Sequence, residues 1–136
     1  MLSGTRKAKQ VRPLRVLVAD DSESVRRALC QMLESQPSMV VVCEAVDGLD
    51  AVRKAKEYRP DVVLLDLAMP AMNGFVAARI IKEDLPSTII IVVTQYDSSA
   101  FRREAMASGA SSFMVKSNAG RELVPQLRSI QDGLAA

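Results

Sequence analysis

The sequence predicts a three-layer α/β domain built on a parallel β-sheet. Five short aliphatic runs alternate with five stretches whose apolar residues recur at helical spacing, and this strict alternation is typical of parallel strands joined by right-handed crossovers. The third run, residues 62–65, is four consecutive aliphatic residues, which indicates a strand buried on both faces. The length of 136 residues fits one domain of this kind.

The predicted strands are short and end abruptly in polar or turn-forming residues. In chain order they span residues 15–19, 39–43, 62–65, 88–93 and 112–115. The second strand ends in Cys43 and Glu44 and has no group of obvious catalytic use at its tip. We therefore expect this strand to lie at a side of the sheet.

Each predicted helix has a start signal and an apolar face. The start signals are, in chain order, Ser22 or Asp21, Asp47-Gly48, Gly74, Ser98 and the neighbourhood of Ala119. Gly109 is expected to end the fourth helix, and the last helix is expected to fray after Asp132. The residues expected to point inward are Val25, Ala28, Leu29, Met32 and Leu33, then Leu49, Val52 and Ala55, then Phe75, Ala78 and Ile81, then Phe101, Ala105 and Met106, and finally Leu123, Leu127 and Ile130.

The net charge of +2 is unevenly distributed along the chain. Residues 1–15 hold five basic residues and no acid, whereas the remaining 121 residues carry 13 bases against 16 acids. A mildly acidic body does not resemble a nucleic-acid-binding domain, so we expect no direct contact with nucleic acid. We predict a flexible basic tail at residues 1–12, followed by one domain at residues 13–136.

Composition also limits the cellular setting and the chemistry. Cys30 and Cys43 lack disulfide-like or metal-like spacing, so two buried free thiols in a reducing compartment are expected. No apolar run approaches the roughly 20 residues of a membrane span, and the expected location is the cytoplasm. The chain contains no His, which removes His-based acid–base catalysis and His metal ligands.

Reactive side chains collect at the carboxyl ends of the predicted strands. They are Asp20 and Asp21 after the first strand, Asp66 after the third, Thr94 after the fourth and Lys116 after the fifth. In open α/β sheets this edge is where ligands bind. Two carboxylates about 4 Å apart repel by on the order of 4 kcal/mol at an effective dielectric near 20, so three of them imply a cation. Oxygen ligands alone favour a hard ion, Mg²⁺ before transition metals.

A magnesium site of this composition points to phosphoryl chemistry. Mg²⁺ keeps several waters and is bound through one or two carboxylates and a phosphate oxygen. Lys116 would contact the phosphoryl oxygens as a point charge, and the Thr94 hydroxyl would be a further donor. Asp66 could then be the nucleophile that forms an acyl phosphate. Taken alone, Asp66 could equally be a turn residue, and Asp20-Asp21 a helix-capping pair.

Over residues 13–132 the chain resembles the receiver domains of two-component response regulators. The matching features are Asp20-Asp21, Asp66 followed by Met69-Pro70 and Gly74, Thr94, Gly109-Ala110 and Lys116. The resemblance implies a doubly wound, flavodoxin-like (βα)5 sheet of order 2-1-3-4-5. It also implies that Asp66 accepts a phosphoryl group from a histidine kinase or phosphotransfer protein, and that Asp20, Asp21, Asp66 and the Ala68 backbone carbonyl hold Mg²⁺.

The resemblance further implies a switch rather than an enzyme, with only self-phosphorylation and self-dephosphorylation activity. Thr94 and Phe113 match the switch residues, Phe113 turning inward as Thr94 moves towards the phosphate; an ordinary core role for Phe113 is the alternative. The expected partner surface is formed by the fourth helix, fifth strand and fifth helix. It would contact a downstream protein target, the chain's own output domain or a second copy in a homodimer, and no membrane.

Three departures from the receiver pattern concern how long the phosphate lasts. Ser117 stands where most receivers have Pro after the lysine, so we expect a trans bond there. Gln95 replaces a small residue and is expected to crowd or contact the phosphate. Ala68 and Tyr96 occupy the two positions that tune phosphate lifetime in receivers.

The residue pattern is also compared with two other function classes, an aspartyl-nucleophile phosphatase and a flavin-binding module. A phosphatase with an aspartyl nucleophile is the main alternative, although such enzymes carry the nucleophile after the first strand with a second Asp two residues on, where this chain has Ser22. A flavin-binding module would need a phosphate loop that the acidic residues 20–23 do not provide. We expect either a stand-alone receiver or the receiver part of a helix-turn-helix transcription regulator.

Overall fold

A computed structural model describes residues 12–135. Five strands alternate with five α-helices, as the sequence predicts. The elements in chain order are β1 (Leu14–Ala19), α1 (Glu23–Glu34), β2 (Met39–Ala45), α2 (Gly48–Tyr58), β3 (Val62–Leu65), α3 (Gly74–Asp84), β4 (Ile89–Thr94), α4 (Ser99–Ala107), β5 (Ser112–Val115), a 3₁₀ turn (Lys116–Asn118) and α5 (Ala119–Ala135).

All neighbouring strands pair in parallel, in the order β2-β1-β3-β4-β5. The predicted doubly wound sheet is therefore confirmed, with β2 at one side. The register is regular except for one irregularity in the β1–β2 pairing between Val16 and Leu17.

Alternate side chains of the strands point into two separate hydrophobic cores. Val16 and Val18 pack with α1 and α5, whereas Leu17 and Ala19 pack with α2, α3 and α4. β3 contributes to both cores, and all four of its residues are buried. Since both sheet faces are covered, the strands need apolar residues at every position, which is why they appear as uninterrupted aliphatic runs.

The helix boundaries follow local capping rules. The side chains of Ser22, Asp47, Asn73 and Ser98 each accept a hydrogen bond from a backbone amide in the first turn. Gly109, with φ of 110°, follows the C-cap of α4 and provides the predicted stop. Two predicted ends fall short by two or more residues: β2 continues past Cys43 to Ala45, and α5 continues past Asp132 to Ala135.

Four residues predicted to point inward are exposed, and those predictions are wrong. They are Ala28, Leu49, Phe101 and Met106, of which Leu49 is 54% exposed. The buried faces of α2 and α4 consist of small residues, Ala51 and Ala55 in α2 and Ala105 in α4. These helices lie close to the sheet on alanines, so their larger apolar side chains are directed outward.

The cysteines are both free, as expected, but only one is fully buried. Cys30 lies in the α1 core face, whereas Cys43 is half-buried because β2 is the side strand of the sheet. Burial raises the pKa of each thiol to about 11. Both thiols are therefore protonated, and weakly nucleophilic, near neutral pH.

Most of the predicted basic tail, residues 1–11, lies outside the described residues. Arg12, its last residue, donates two hydrogen bonds to the Asp61 carboxylate, at 2.8 and 2.9 Å. Within residues 12–135 every peptide bond is trans, including the one before Ser117. None of the helices in that range is long and apolar enough to cross a membrane.

Candidate functional site

Strand register brings the predicted site residues to one edge of the sheet. Ala19 pairs with Leu65 across β1 and β3, so Asp20 and Asp66 follow at the same level. Thr94 pairs with Val115 across β4 and β5, and Lys116 follows next. The amide of Asp66 donates to the carbonyl of Ala19 at 3.0 Å, which extends the β1–β3 pairing into the site.

The structure places the three predicted carboxylates together. One carboxylate oxygen from each of Asp20, Asp21 and Asp66 lies within 4.8 Å of the others. Asp20 and Asp66 are buried, at 1% and 4% exposure, whereas Asp21 is exposed. Asp21 is thus the solvent-exposed member of the cluster.

Lys116 neutralises part of this negative charge. Its Nζ lies 2.7 Å from Asp20 Oδ2 and 3.4 Å from Asp66 Oδ2. The 3₁₀ turn that begins at Lys116 separates β5 from α5. The amine therefore reaches across the sheet edge to two carboxylates that follow different strands.

Burial and mutual repulsion dominate the electrostatics of Asp66. Burial raises the pKa of Asp66, and the charge of Asp20 raises it further, against the opposing effects of Lys116 and the Leu67 amide. Burial lowers the pKa of Lys116, but its hydrogen bonds and charge interactions with Asp20 and Asp66 outweigh burial and raise that pKa. A cation bound among the carboxylates would relieve the repulsion that remains.

The loop between β3 and α3 wraps closely around Asp66. Asp66 Oδ1 accepts a hydrogen bond from the Leu67 amide at 2.8 Å, and the Gly74 amide donates to the Leu67 carbonyl at 2.9 Å. A Cβ atom at Gly74 would overlap the Asp66 carbonyl, so only glycine permits this approach. Ala68 follows in the same loop and is exposed.

The two predicted switch residues are both buried. Thr94 is fully buried, and its Oγ1 accepts a hydrogen bond from the Tyr96 amide at 3.3 Å. Phe113 is 8% exposed and packs in the core shared with α2, α3 and α4. The Arg102 guanidinium lies 4.7 Å from the Phe113 ring centroid, an arrangement typical of a cation–π contact. Gln95 and Tyr96 are exposed beside the site.

Two features of the site were not expected from the sequence. The Ser22 amide donates to Asp20 Oδ1 at 2.9 Å, so the α1 N-cap residue also orients a site carboxylate. Arg26 Nη1 donates to the Asp20 carbonyl at 2.8 Å. The position of Ser22 directly after the acidic pair is a sequence signal for its contact with Asp20. Helical spacing gives no such signal for the contact between Arg26 and the Asp20 carbonyl.

The donor set fits a magnesium ion. Three carboxylates supply hard oxygen ligands. Within residues 12–135, no other group of three or more Asp, Glu, His or Cys side chains is close enough to share an ion. Asp20, Asp21 and Asp66 could hold the ion, with Asp21 as the ligand exposed to solvent.

Comparison with known proteins decides the family. A family model described as "Response regulator receiver domain" matches residues 16–128. The chain belongs to this family. Receiver domains of this family occur in two-component systems, and the flavodoxin-like fold of this chain agrees with that assignment.

Individual relatives of this receiver come from several bacteria. The oxygen regulatory protein NreC of Staphylococcus epidermidis is 34% identical over 88% of this chain, which covers 56% of NreC. A LuxR-family two-component response regulator from an Aurantimonas species is 34% identical, with a TM-score of 0.83 over 89% of this chain and 86% of that one. A chain of the CheX–CheY–BeF3–Mg²⁺ complex from Borrelia burgdorferi is 27% identical, with a TM-score of 0.81 over 88% of this chain and 90% of that one. The chain spans about half the length of the first curated relative.

Proposed function

We propose that this receiver is a phosphorylation switch in which Asp66 accepts a phosphoryl group from a histidine kinase or a phosphotransfer protein. One observation carries the proposal: a buried Asp66 lies within reach of the Lys116 amine and clusters with the Asp20 and Asp21 carboxylates at the carboxyl edge of the sheet. A structural role would need no such concentration of buried charge, because unpaired buried carboxylates cost free energy.

Each residue of the site would have a separate role in phosphoryl transfer. A carboxylate oxygen of Asp66 would form a bond to phosphorus as the bond from phosphorus to the donor nitrogen breaks, which leaves an acyl phosphate on Asp66. Lys116 already contacts Asp66 and would hold a phosphoryl oxygen, while the Leu67 amide keeps Asp66 Oδ1 oriented. Mg²⁺ held by Asp20, Asp21, Asp66 and the Ala68 carbonyl would neutralise charge on the phosphoryl oxygens. The Borrelia neighbour, solved in a complex that contains BeF3 and Mg²⁺, supports this assignment.

Phosphorylation would act by shifting the population of two conformations. Thr94 would move towards the phosphoryl group, and Phe113, which is 8% exposed, would turn further inward as Thr94 moves. The output surface is α4, β5 and α5, which would bind a downstream protein target, the chain's own output domain or a second copy of the chain. The chain covers 56% of NreC, which supports a receiver that is part of a longer regulator. Free cysteines support a reducing, cytoplasmic setting.

Phosphorylation by a small acyl-phosphate donor tests this function directly. Wild-type protein incubated with Mg²⁺ and acetyl phosphate should gain one phosphoryl group that is stable in acid and labile in base, detected by mass spectrometry. Asp66→Asn should gain none, and removal of Mg²⁺ by a chelator should abolish the modification. Asp132→Asn, a change at an exposed carboxylate of α5, is the matched control and should behave as wild type.

Two results would count against the proposal. Equal modification of Asp66→Asn would place the phosphoryl group elsewhere. Sustained turnover of a generic phosphate monoester would instead favour the aspartyl-nucleophile phosphatase class.

The lifetime of the acyl phosphate, measured in the same experiment, reports on the exposed residues Ala68, Gln95 and Tyr96.

A further inference from the structure

Arg26 lies beside the carboxylate cluster but does not belong to it. It occupies the first turn of α1, where its amide donates to the carbonyl of the N-cap residue Ser22 at 3.0 Å. Its side chain is only 13% exposed, which is unusual for an arginine near a helix end. A guanidinium with little exposure needs hydrogen-bond partners. The two partners of the Arg26 guanidinium, the Asp20 carbonyl and Glu44, indicate its role.

One partner of Arg26 is the peptide group between two site residues. Nη1 donates to the Asp20 carbonyl at 2.8 Å. That carbonyl belongs to the planar peptide unit that joins Asp20 to Asp21, so its orientation governs the directions in which both residues leave the β1 end. The Asp20 carboxylate is held independently, by the Ser22 amide at 2.9 Å and by Lys116 at 2.7 Å.

The other partner of Arg26 is Glu44, at the end of the neighbouring strand β2. Arg26 Nε donates to Glu44 Oε1 at 3.1 Å, and the Glu44 side chain is 49% exposed. A guanidinium with two donors engaged on different groups has a defined orientation, which a lysine at this position could not reproduce. Glu44 thereby gives the β2 tip a role at the site, although its side chain lies outside the carboxylate cluster.

We infer that Arg26, oriented by Glu44, is a positioning residue that fixes the Asp20–Asp21 peptide and so sets the geometry of the proposed Mg²⁺ site. The inference rests on the proposed function, because the position of these carboxylates matters only if they hold a cation. Groups that orient metal ligands typically contribute about 10- to 100-fold to metal affinity.

The experiment measures metal binding rather than phosphorylation. Mg²⁺ affinity of the full chain is determined by calorimetry, and Mn²⁺ binding by electron paramagnetic resonance, for wild type and Arg26→Met. We expect Arg26→Met to bind both ions about tenfold more weakly. Arg27→Met is the matched control: Arg27 is 65% exposed, pairs with Glu23 on the surface of α1, and its loss should leave both affinities unchanged.

A second variant keeps the test decisive if Arg26→Met folds poorly. Glu44→Gln retains Arg26 but removes the exposed carboxylate that orients it. This variant should weaken Mg²⁺ binding by a smaller factor than Arg26→Met does. Urea unfolding without metal shows whether each variant is fully folded under the binding conditions. If folded Arg26→Met binds Mg²⁺ as tightly as wild type, this inference is overturned but the proposed function is not. If Arg26→Met does not fold, wild-type affinity in Glu44→Gln has the same consequence. Wild-type protein that binds neither ion would overturn the proposed function and this inference with it.

Discussion

Lys116 shows how one side chain holds a charged site together before any ligand arrives. Two buried carboxylates with oxygens within 4.8 Å would repel by on the order of 3 kcal/mol at an effective dielectric near 20. The Lys116 amine contacts both Asp20 and Asp66 and offsets much of that repulsion. The same contacts place the amine where a phosphoryl group on Asp66 would need a positive charge.

Asp61 is a charged residue with a purely structural role, at the amino-terminal end of the sheet. Its carboxylate accepts two hydrogen bonds from Arg12 and one from the Arg15 amide at 2.9 Å. Burial alone would raise the pKa of Asp61, but these hydrogen bonds outweigh burial and hold the pKa below its ordinary value of 3.8. The carboxylate thereby ties the start of β1 to the start of β3.

The lowered pKa of Asp61 predicts how stability depends on pH. Because the pKa is lower in the folded state, the ionised carboxylate stabilises the fold above pH 3.8, and this contribution is lost as pH falls through the lowered pKa. We expect Asp61→Asn to reduce the free energy of unfolding at pH 7 by roughly 1–2 kcal/mol, and by much less near pH 3. Urea unfolding at several pH values measures both effects.

Asp84→Asn is the control for this prediction. Asp84 is 36% exposed and pairs with Lys56 at 3.6 Å, a surface ion pair expected to contribute little. If Asp61→Asn and Asp84→Asn changed stability equally at pH 7, the contacts of Asp61 would have no special value.

At the scale of elements, the start of α2 supports the loop that carries Asp66. Gly48, the first residue of α2, is buried, and a Cβ atom at this position would overlap the Met72 carbonyl in the β3–α3 loop. The helix and the loop are therefore in backbone contact. Asp47, the N-cap of α2, explains why the helix begins here, but only this contact explains why its first residue is glycine.

Replacing Gly48 should disturb the loop. We expect Gly48→Ala to push the Met72 backbone away, to destabilise the protein by about 1–3 kcal/mol and to slow phosphorylation of Asp66 by acetyl phosphate. Gly120→Ala, in the first turn of α5 where a Cβ meets nothing within 4 Å, is the matched control and should stabilise the protein slightly. Phosphorylation kinetics and urea unfolding of both variants test this, and wild-type behaviour of Gly48→Ala would contradict it.

At the scale of the whole molecule, the helices are unequally anchored. α3 buries Gly74, Ala77, Ala78 and Ile81, whereas α4 buries only Ala105. Further contacts of α4 lie at its edges, through the Phe101 ring with Phe75 and Tyr96 and through Arg102 with Phe113. Little apolar area therefore opposes a displacement of α4, the helix that belongs to the proposed output surface.

This difference predicts the pattern of amide hydrogen exchange. Amides of α4 should exchange by local opening well before those of α3, while the amides of β1, β3 and β4 should exchange only on global unfolding. Hydrogen exchange followed by mass spectrometry, with α3 as the internal reference, measures the order. Equal protection of α3 and α4 would show that the edge contacts of α4 anchor it as firmly as a buried face.

Predictions from the sequence are confirmed where a feature depends on neighbouring residues in the chain, and they fail where it depends on packing between distant segments. Residues 62–65 form the central strand that their aliphatic run indicates, and Ser22 and Gly109 act as the predicted cap and stop, because each depends on neighbours in the chain. Leu49, Phe101 and Met106 were assigned to the wrong side of their helices, because hydrophobicity does not show that alanines make the closest contact with the sheet.

The alternation of strands and helices and the polar residues at the strand tips follow from local sequence pattern, because burial on both faces demands aliphatic runs and a strand end permits charge. Which of those tips touch, and at what distance, follows from the tertiary structure. Lys116 reaches Asp66, 50 residues earlier, only because β1, β3, β4 and β5 lie side by side. Arg26 contacts the nearby Asp20 carbonyl within the β1–α1 segment, but it reaches Glu44 only because β2 lies beside β1. Strand order depends on packing between distant segments, and local pattern does not encode it.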